Sequence, residues 1–210
     1  MEQQPALIRA YDSGDLDDLY RICLLTADNG GDGSALFTDP QVPGHCYAAP
    51  YAIIEPSLAF VAEDSEGVAG YVVGALDSAE FEQRLEQEWW PLLRARYPDA
   101  TDEPTDGPSP QEQTALHNIH HPWRTDPRLL ARYPSHLHIN LLPRQQGRGV
   151  GRQLIATLTS TLVRQGSPGL HLFVHLTNTR ARGFYQHVGF TELPEPDNHA
   201  FVMDLSERPA

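Results

Sequence analysis

The clearest pattern of hydrophobic and polar positions lies in the C-terminal half of the chain. Over residues 136–141 apolar side chains alternate with polar ones, the apolar set being Leu137, Ile139 and Leu141. A period of two predicts a strand, and Pro143, which has no N–H to donate, predicts where it ends. From Val150 onward the apolar spacing changes to three and four, which predicts a helix whose apolar side is formed by Leu154, Ile155, Leu158, Leu162 and Val163.

Similar patterns predict the elements of the N-terminal half. Loose alternation predicts an opening strand over residues 6–11. An apolar stripe over 15–27 predicts a helix with Asp12 or Ser13 as its cap. Two β-rich runs on either side of the turn 64–67 predict a hairpin. Gly70 lies inside the second run, where it predicts a bulge or a close backbone approach.

The middle of the chain is interpreted as an insertion. Residues 78–134 contain a helical pattern over 79–97, in which Pro91 predicts a bend or restart, and a Pro-rich acidic loop over 99–110. We therefore predict a single domain over residues 1–210 that carries this helical insertion before the strand at 136–141. The remaining predicted strands are 170–176, 190–193 and 200–205.

Glycines recur between the strand at 136–141 and the helix that follows it. They are Gly147, Gly149 and Gly151, and the basic residues near them are Arg144, Arg148 and Arg152. Glycines allow an anion to approach the backbone, and the free N–H groups at a helix start attract negative charge. A Walker loop needs Gly-Lys-Ser/Thr, and a Rossmann turn needs glycine where Arg152 stands. The spacing therefore predicts an anion site of another kind.

Two segments carry a family resemblance. Gln146-Gly-Arg-Gly-Val-Gly151 resembles the Gln/Arg-x-x-Gly-x-Gly/Ala element of the GNAT superfamily of N-acetyltransferases. Asn178-Thr-Arg-Ala-Arg-Gly-Phe-Tyr185-Gln-His-Val-Gly-Phe190 resembles a second segment of that family, in the same order along the chain. The resemblance implies an α/β GNAT fold, with a mixed, mostly antiparallel twisted sheet of about seven strands flanked by helices. It also implies direct transfer of acetyl from acetyl-coenzyme A to an amine.

The resemblance also implies which residues meet the cofactor. The N–H groups of the glycine loop would hold the pyrophosphate, and the backbone of two residues at the end of the strand would meet the pantetheine and the acetyl carbonyl. The implied cofactor-binding residues are Leu141, Leu142, Gln146, Gly147, Arg148, Gly149, Val150, Gly151, Arg152, Asn178 and Tyr185. Tyr185 matches the family tyrosine near the thioester sulfur, where a phenol can donate a hydrogen bond or its proton to the departing thiolate. It is therefore also a predicted catalytic residue.

The catalytic base is predicted from the residues of the strand at 136–141. The strand has no carboxylate, and His138 is preferred over His136 and His175 because an imidazole titrates in a suitable range. Asn140 is predicted to orient a water or the substrate. Asp28 and Asp32, in the turn after the first helix, are candidates to contact a cationic acceptor, and a solvated surface turn is the competing interpretation.

A narrower resemblance links residues 60–97 and the later motifs to the acetyltransferase-like C-terminal domain of O-GlcNAcase and its bacterial relatives. The loop is degraded in the animal domain, whereas Gly147, Gly149 and Gly151 are intact here. Acetyl-coenzyme A binding is therefore expected. Two functions remain open: an N-acetyltransferase acting on a small amine, an amino sugar or a protein amine, and a catalytically silent acetyl-coenzyme A binding or interaction module.

The composition limits the kinds of molecule that the protein is expected to bind. The net charge of −13 disfavours nucleic acid, which requires a basic face. Two cysteines are too few for a disulfide framework, which predicts a cytoplasmic protein, and no apolar run is long enough for a membrane span. The GNAT resemblance implies a monomer or a homodimer. His117, His120 and His121 share a helical face. No Cys or acid is placed to complete a metal site with them, so no metal is predicted.

Overall fold

One sheet forms the frame of the molecule. A computed structural model describes residues 6–99, 109–193 and 199–206. Its strands are β1 (Leu7–Ala10), β2 (Ala59–Asp64), β3 (Gly67–Ala75), β4 (Ser135–Leu141), β5 (Gly169–Val174), β6 (Thr191–Leu193) and β7 (His199–Asp204). They form a seven-stranded sheet in the order β1-β2-β3-β4-β5-β7-β6. Only the β4–β5 pair is parallel within these ranges. The predicted α/β fold with a mixed, mostly antiparallel sheet is confirmed.

Helices cover both faces of this sheet. They are α1 (Leu16–Leu24), α2 (Val42–Tyr47), α3 (Ala49–Ile54), α4 (Ser78–Arg84), α5 (Trp90–Arg96), α6 (Pro110–His120), α7 (Pro127–Leu130), α8 (Val150–Arg164) and α9 (Thr179–His187). Helices α4 to α7 lie between β3 and β4, which is the predicted helical insertion. A π-helical turn over Leu85–Trp89 joins α4 to α5 just before Pro91, so the predicted restart is confirmed. Residues 100–108 of the predicted acidic loop lie outside the described ranges.

The first helix is shorter than its apolar pattern predicts. It ends at Leu24 and not at residue 27, and its cap Asp12 belongs to a 3-10 turn that precedes it. Turns follow the helix and lead to two residues in the left-handed region, Asn29 with φ 50° and Gly30 with φ 91°. The hydroxyl of Thr26 donates to the Ile22 carbonyl at 2.7 Å and helps to end the helix.

Two apolar clusters lie on opposite faces of the sheet. One joins α1, α2, α3 and α6 to β2 and β3. The other joins α8 to β4, β5 and β7, and Leu154 and Leu158 of α8 are fully buried in it. Burying each of these leucines contributes roughly 1.5–3 kcal/mol. Because side chains alternate along β4, its apolar residues face α8 and its polar residues face the first cluster.

A glycine sets the distance between β3 and the end of β4. Gly70 pairs with Leu141, and a Cβ at Gly70 would lie 2.2 Å from the Leu141 side chain. That Cβ would also lie 3.0 Å from the Asn140 carbonyl oxygen, so the predicted close backbone approach is confirmed, and a larger residue would force the Leu141 side chain to move. In the described ranges, no helix has both the length and the apolar character required to cross a bilayer.

Candidate active site

The parallel strands β4 and β5 separate after a short paired region. They pair only at Ser135–Leu170 and His136–His171. Beyond these residues β4 continues to Leu141 without a partner on this edge, so its backbone polar groups there have no ladder bonds to β5. Unpaired backbone groups next to a cavity are available to bind a ligand.

A large cavity of about 1160 Å³ occupies this gap. It is lined by Ile139 and Leu141 on the α8 side and by His138 and Asn140 on the opposite side, so it passes between the strands from one face of the sheet to the other. Most of the predicted cofactor-binding residues line it, namely Leu141, Gln146, Gly147, Gly149, Gly151, Arg152, Asn178 and Tyr185.

The glycine loop presents an open set of donors to this cavity. Gly147 and Gly149 have φ values of 72° and 82°, and nothing lies within 4 Å of a Cβ built on either. No described residue accepts a hydrogen bond from the backbone N–H groups of residues 147–152. These groups precede or begin α8, a 15-residue helix, and so lie at its positive end. Arg148 and Arg152 are exposed beside them. The arrangement fits a diphosphate.

Gln146 holds this loop in place. Its Nε2 donates to the Leu141 carbonyl at 2.7 Å and to the Gly30 carbonyl at 3.3 Å, and its Oε1 accepts from Arg180 at 2.6 Å. The amide therefore ties the loop to β4, to the turn after α1 and to α9. Within the described structure Gln146 is a positioning residue for the loop.

Three of the predicted cofactor-binding residues do not line the cavity, namely Leu142, Arg148 and Val150, and Arg144 of the predicted basic cluster does not line it either. The N–H of Leu142 donates to the Ala69 carbonyl at 2.8 Å and its side chain is in the core, so it does not line the cavity. Arg144 does not face the loop. It pairs with Asp64 at 2.8 Å and lowers the pKa of that carboxyl to about 2, so its inclusion in the basic cluster was wrong. The side chain of Val150 is buried, which leaves its N–H as its contribution to the loop.

His136 is held by hydrogen bonds on both ring nitrogens. The Ser78 hydroxyl donates to the Pro134 carbonyl at 2.6 Å, so the Nδ1–H of His136 must donate to the Ser78 Oγ, also at 2.6 Å. The Nε2 of His136 then accepts from the Tyr51 hydroxyl at 2.8 Å. Burial lowers the pKa of His136 well below its ordinary value. The ring is a neutral structural element and is not free to take a proton from a substrate.

His138 differs from His136 in having no such network. Neither of its ring nitrogens is hydrogen-bonded to a described residue, and the ring lies against Tyr47 and Tyr51, with centroids 5.6 and 5.2 Å away. Two effects lower the pKa of His138 to about 4: the larger is burial, and the smaller is repulsion from the nearby His171. A neutral imidazole with a free nitrogen therefore borders the cavity. His175, the third candidate, is exposed at the rim and bonds to Thr177 at 2.9 Å.

Three histidines with lowered pKa values predict a loss of stability in mild acid. Burial lowers the pKa of His136, His138 and His171 in the folded chain, while the unfolded chain titrates near 6.5. Below about pH 6.5 the unfolded state binds protons that the folded state does not. The free energy of unfolding therefore falls as the pH drops from about 6.5 towards 4, each histidine adding up to about 1.4 kcal/mol per pH unit.

Urea unfolding at several pH values between 7.5 and 5 measures this slope. We expect His138→Gln to reduce the slope, and the exposed His187 supplies the matched control, His187→Gln, which should leave it unchanged. Equal slopes in all three proteins would contradict the burial argument.

Tyr185 lies on α9 and Asn178 directly precedes that helix, across the gap from β4. The Tyr185 ring packs against Phe190 and Phe201, with centroids 5.6 and 5.8 Å away, and burial raises its pKa well above the ordinary tyrosine value. Its hydroxyl therefore keeps its proton and can donate a hydrogen bond into the cavity. The Oδ1 of Asn178 accepts from the Ala181 N–H at 3.0 Å and caps α9.

Of the three residues predicted to contact the acceptor, only Asn140 lines the large cavity. Its Nδ2 donates to the Thr26 hydroxyl at 2.5 Å, which leaves its Oδ1 without a hydrogen bond to any described residue. Asp28 and Asp32 are exposed and are not among the residues that line either cavity. The Asp32 carboxylate accepts from the Ser34 N–H and hydroxyl within its own turn. These two aspartates fit the competing interpretation, a solvated surface turn.

A second, aromatic cavity was not foreseen from the sequence. It measures about 300 Å³ and shares Tyr47 and His138 with the large cavity, so the two meet at these side chains. Its other aromatic lining comes from Tyr51, Phe81, Trp90, Trp123 and Phe173. These residues come from four separate parts of the chain, so no local spacing in the sequence brings them together.

Comparison with known proteins places this geometry in a family. The sequence profile of the Acetyltransferase (GNAT) family matches residues 35–190. The solved structure of SsHAT superposes with a TM-score of 0.84 and 35% sequence identity, covering 97% of this chain and 100% of that one. Protein O-GlcNAcase of Rattus norvegicus is 25% identical over 187 residues, which is 89% of this chain and 20% of that protein. This chain thus spans about a fifth of that relative.

A more distant structure supports the fold. The putative acetyltransferase yncA from Salmonella typhimurium, solved with its cofactor acetyl-CoA, has a TM-score of 0.58 and 15% identity, covering 99% of this chain and 98% of its own. Its strand and helix arrangement is shared at an identity too low to compare individual site residues. Taken with the family profile and the similarity to SsHAT, the cavity through the β4–β5 gap and the donor-rich loop lead to one conclusion: this chain belongs to the GNAT family of acetyltransferases.

Proposed function

We propose that this protein transfers the acetyl group of acetyl-coenzyme A to an amine that reaches the thioester from the aromatic side of His138. The single observation that carries this proposal is the continuous space through the β4–β5 gap. The donor-rich glycine loop lies at one end of this space, and the unbonded His138 ring lies towards the other. Co-substrate and acceptor would then approach from opposite faces of the sheet.

The loop residues bind the co-substrate in this proposal. The N–H groups of residues 147–152 and the guanidinium of Arg152 hold the diphosphate, and the amide of Gln146 keeps the loop in shape. When bound, acetyl-coenzyme A supplies an acetyl group activated as a thioester. Unpaired backbone of β4 in the gap, near Leu141, would hydrogen-bond the pantetheine and polarise the acetyl carbonyl.

His138 takes the proton that the amine loses on acylation. Because the pKa of His138 is about 4, the ring is unprotonated at neutral pH. It is too weak a base to deprotonate an ordinary alkylammonium ion in the ground state. An amine nitrogen becomes strongly acidic as it forms the new C–N bond, and a neutral imidazole can accept its proton at that stage. The acceptor must therefore arrive as the neutral amine.

The aromatic cavity holds the body of the acceptor in this proposal. Trp123 packs edge-on against Phe173 with centroids 4.8 Å apart and remains 56% exposed at the cavity mouth. Glu82 also lines this space, but its carboxylate accepts from the N–H and hydroxyl of Thr125 and lies 3.6 Å from Arg124. A flat or apolar acceptor body matches such a lining better than a second cationic group does.

Tyr185 is expected to assist departure of the thiolate. Its protonated phenol can donate a hydrogen bond to sulfur as negative charge develops there. Tyr185→Phe should reduce kcat about tenfold to 100-fold while the Kd for acetyl-coenzyme A stays within about twofold, because one donor is lost and the ring packing is kept. Stopped-flow detection of free thiol measures the first quantity, and calorimetry measures the second. A Kd that rises as much as kcat falls would indicate a binding role only.

An acceptor screen tests the proposed function itself. Amines of different classes (arylamines, alkylamines, amino sugars and peptides with a free N-terminus) are incubated with acetyl-coenzyme A, and thiol release is compared between the wild type and Gly149→Glu. Release that depends on both the amine and Gly149 supports transfer. Tight acetyl-coenzyme A binding without acetylation of any amine would overturn the enzyme proposal and favour the silent binding module.

A further inference from the structure

A cluster of possible metal ligands lies at the C-terminal end of α6, away from the proposed active site. His117 and His121 are one helical turn apart, and their ring centroids are 4.5 Å apart. The Nε2 of His121 lies 2.8 Å from the Oδ2 of Asp99, a residue 22 positions earlier in the chain. One ligand atom from each of these three residues lies within 4.8 Å of the other two.

This geometry corrects the prediction that no acid completes the histidine cluster. Asp99 lies just beyond α5, and its distance along the chain from the histidines of α6 does not match the short spacings between metal ligands that a sequence can reveal. The packing of α5 against α6 brings the end of one helix beside the end of the other, and Arg94 of α5 donates to the Ile119 carbonyl of α6 at 2.9 Å. The third ligand is thus supplied by tertiary structure.

We propose that Asp99, His117 and His121 bind a divalent transition metal, with zinc as the ion that fits best. Two imidazoles and one carboxylate form a set of nitrogen and oxygen donors that zinc accepts, and a water can complete a tetrahedron. At zinc–ligand distances of about 2.1 Å the ligand atoms are about 3.4 Å apart. The present ligand atoms lie within 4.8 Å of one another, so the exposed side chains must close by about 1.4 Å at most to reach that geometry.

The surroundings of the cluster allow an ion to enter. The side chains of His121 and Asp99 are 55% and 45% exposed, and His117 is also exposed. The neighbouring His120 is oriented differently, since its Nε2 lies 2.9 Å from the Tyr97 carbonyl. His120 is therefore outside the ligand set although it is adjacent to it in sequence, which makes it a matched control.

An ion at this position would connect two elements near the large cavity. It would join the end of α6 to the residue that follows α5, while the beginning of α6 contributes Pro110, Gln111, Thr114 and Ala115 to the cavity wall. Binding to the folded state alone raises stability by mass action. We therefore expect zinc to raise the melting temperature of the wild type. The proposal does not depend on the acetyl-transfer proposal, since its readout is metal binding.

The test is a calorimetric titration of the tag-free, metal-stripped full chain with zinc, repeated with cobalt for its visible absorption. The wild type should bind one ion with a Kd of about micromolar order, as expected for three ligands on a solvent-exposed site. His117→Ala and His121→Ala should weaken binding at least about tenfold and remove the tetrahedral cobalt spectrum. Asp99→Asn should weaken it less, and His120→Ala should bind like the wild type.

The ligand variants are expected to fold, because the side chains of Asp99, His117 and His121 are exposed. The variants lose different hydrogen bonds, His121 to Asp99 or His120 to Tyr97, so each variant is melted with and without zinc and compared with itself. The zinc-induced rise should disappear in His117→Ala and His121→Ala and persist in His120→Ala. The proposal is overturned if His117→Ala and His121→Ala keep the wild-type affinity. It is equally overturned if His120→Ala loses as much affinity as they do, which would indicate a general attraction of the acidic surface for cations.

Discussion

Gly149→Glu is expected to weaken acetyl-coenzyme A binding at least about 100-fold, which is about 2.7 kcal/mol. Two causes act together. Gly149 has φ 82°, where a side-chain-bearing residue costs about 1–2 kcal/mol, so the loop would rearrange. The new carboxylate would also occupy the positive end of α8 and compete with the diphosphate for the free N–H groups of residues 147–152. Isothermal titration calorimetry measures the change.

A matched variant separates these causes. Gly166 has φ 84°, and nothing lies within 4 Å of a Cβ built there, so Gly166→Glu introduces the same backbone strain and the same charge. It lies beyond the other end of α8, about 22 Å from the loop along a 15-residue helix. We expect Gly166→Glu to bind acetyl-coenzyme A within about threefold of the wild type. Equal losses in the two variants would show that strain or net charge, and not the loop, determines binding.

His138→Gln is expected to lower kcat about 100-fold with little change in the Kd for acetyl-coenzyme A, once an acceptor is available. Glutamine keeps polarity and approximate size but cannot accept the proton of the amine. The competing candidate is tested by His175→Gln, since His175 is exposed at the rim of the large cavity. If His175 is the base, kcat should fall about 100-fold in His175→Gln and stay nearly unchanged in His138→Gln. A large rise in Kd in His138→Gln would instead assign His138 to binding.

The pH profile adds an independent check on His138. Because its pKa is about 4, the ring is in its basic form throughout the range from pH 6 to 9. The wild-type kcat/KM should therefore rise with the neutral fraction of the acceptor amine, and its midpoint should follow the pKa of whichever amine is used. A fixed midpoint near 6.5 for amines of different pKa would show that His138 titrates as an ordinary solvated histidine, contrary to its buried position.

Local chemistry explains which parts of the site were predictable. The strand from Ser135 to Leu141, the turn after it and the helix from Val150 follow one another directly, so alternation, glycine spacing and helical periodicity reveal all three. The free N–H groups of the loop are a direct consequence of a helix that begins at a glycine turn. The Oδ1 of Asn178 accepts from the Ala181 N–H, which is the usual role of an asparagine directly before a helix.

Other features depended on contacts between distant residues, which sequence spacing does not encode. Arg144 has the same charge as Arg148, but the side chain of Arg144 forms an ion pair with Asp64 and is therefore not available to the glycine loop. His136 and His138 are two residues apart on one strand face. Ser78 and Tyr51 bond to both nitrogens of His136, whereas no described residue bonds to either nitrogen of His138. Nothing in the strand itself distinguishes their roles, and only packing from other elements makes one structural and the other available.

The sequence alone therefore indicated the family and the strand–loop–helix unit and predicted an anion site at its glycine loop, because each of these depends on motifs whose residues are close together in the chain. The tertiary structure decided the protonation of His138, the surface position of Asp28 and Asp32, the aromatic cavity and the placement of Asp99 beside His117 and His121. These properties depend on burial and on distances between elements far apart in sequence, and burial and distance exist only after the chain has folded.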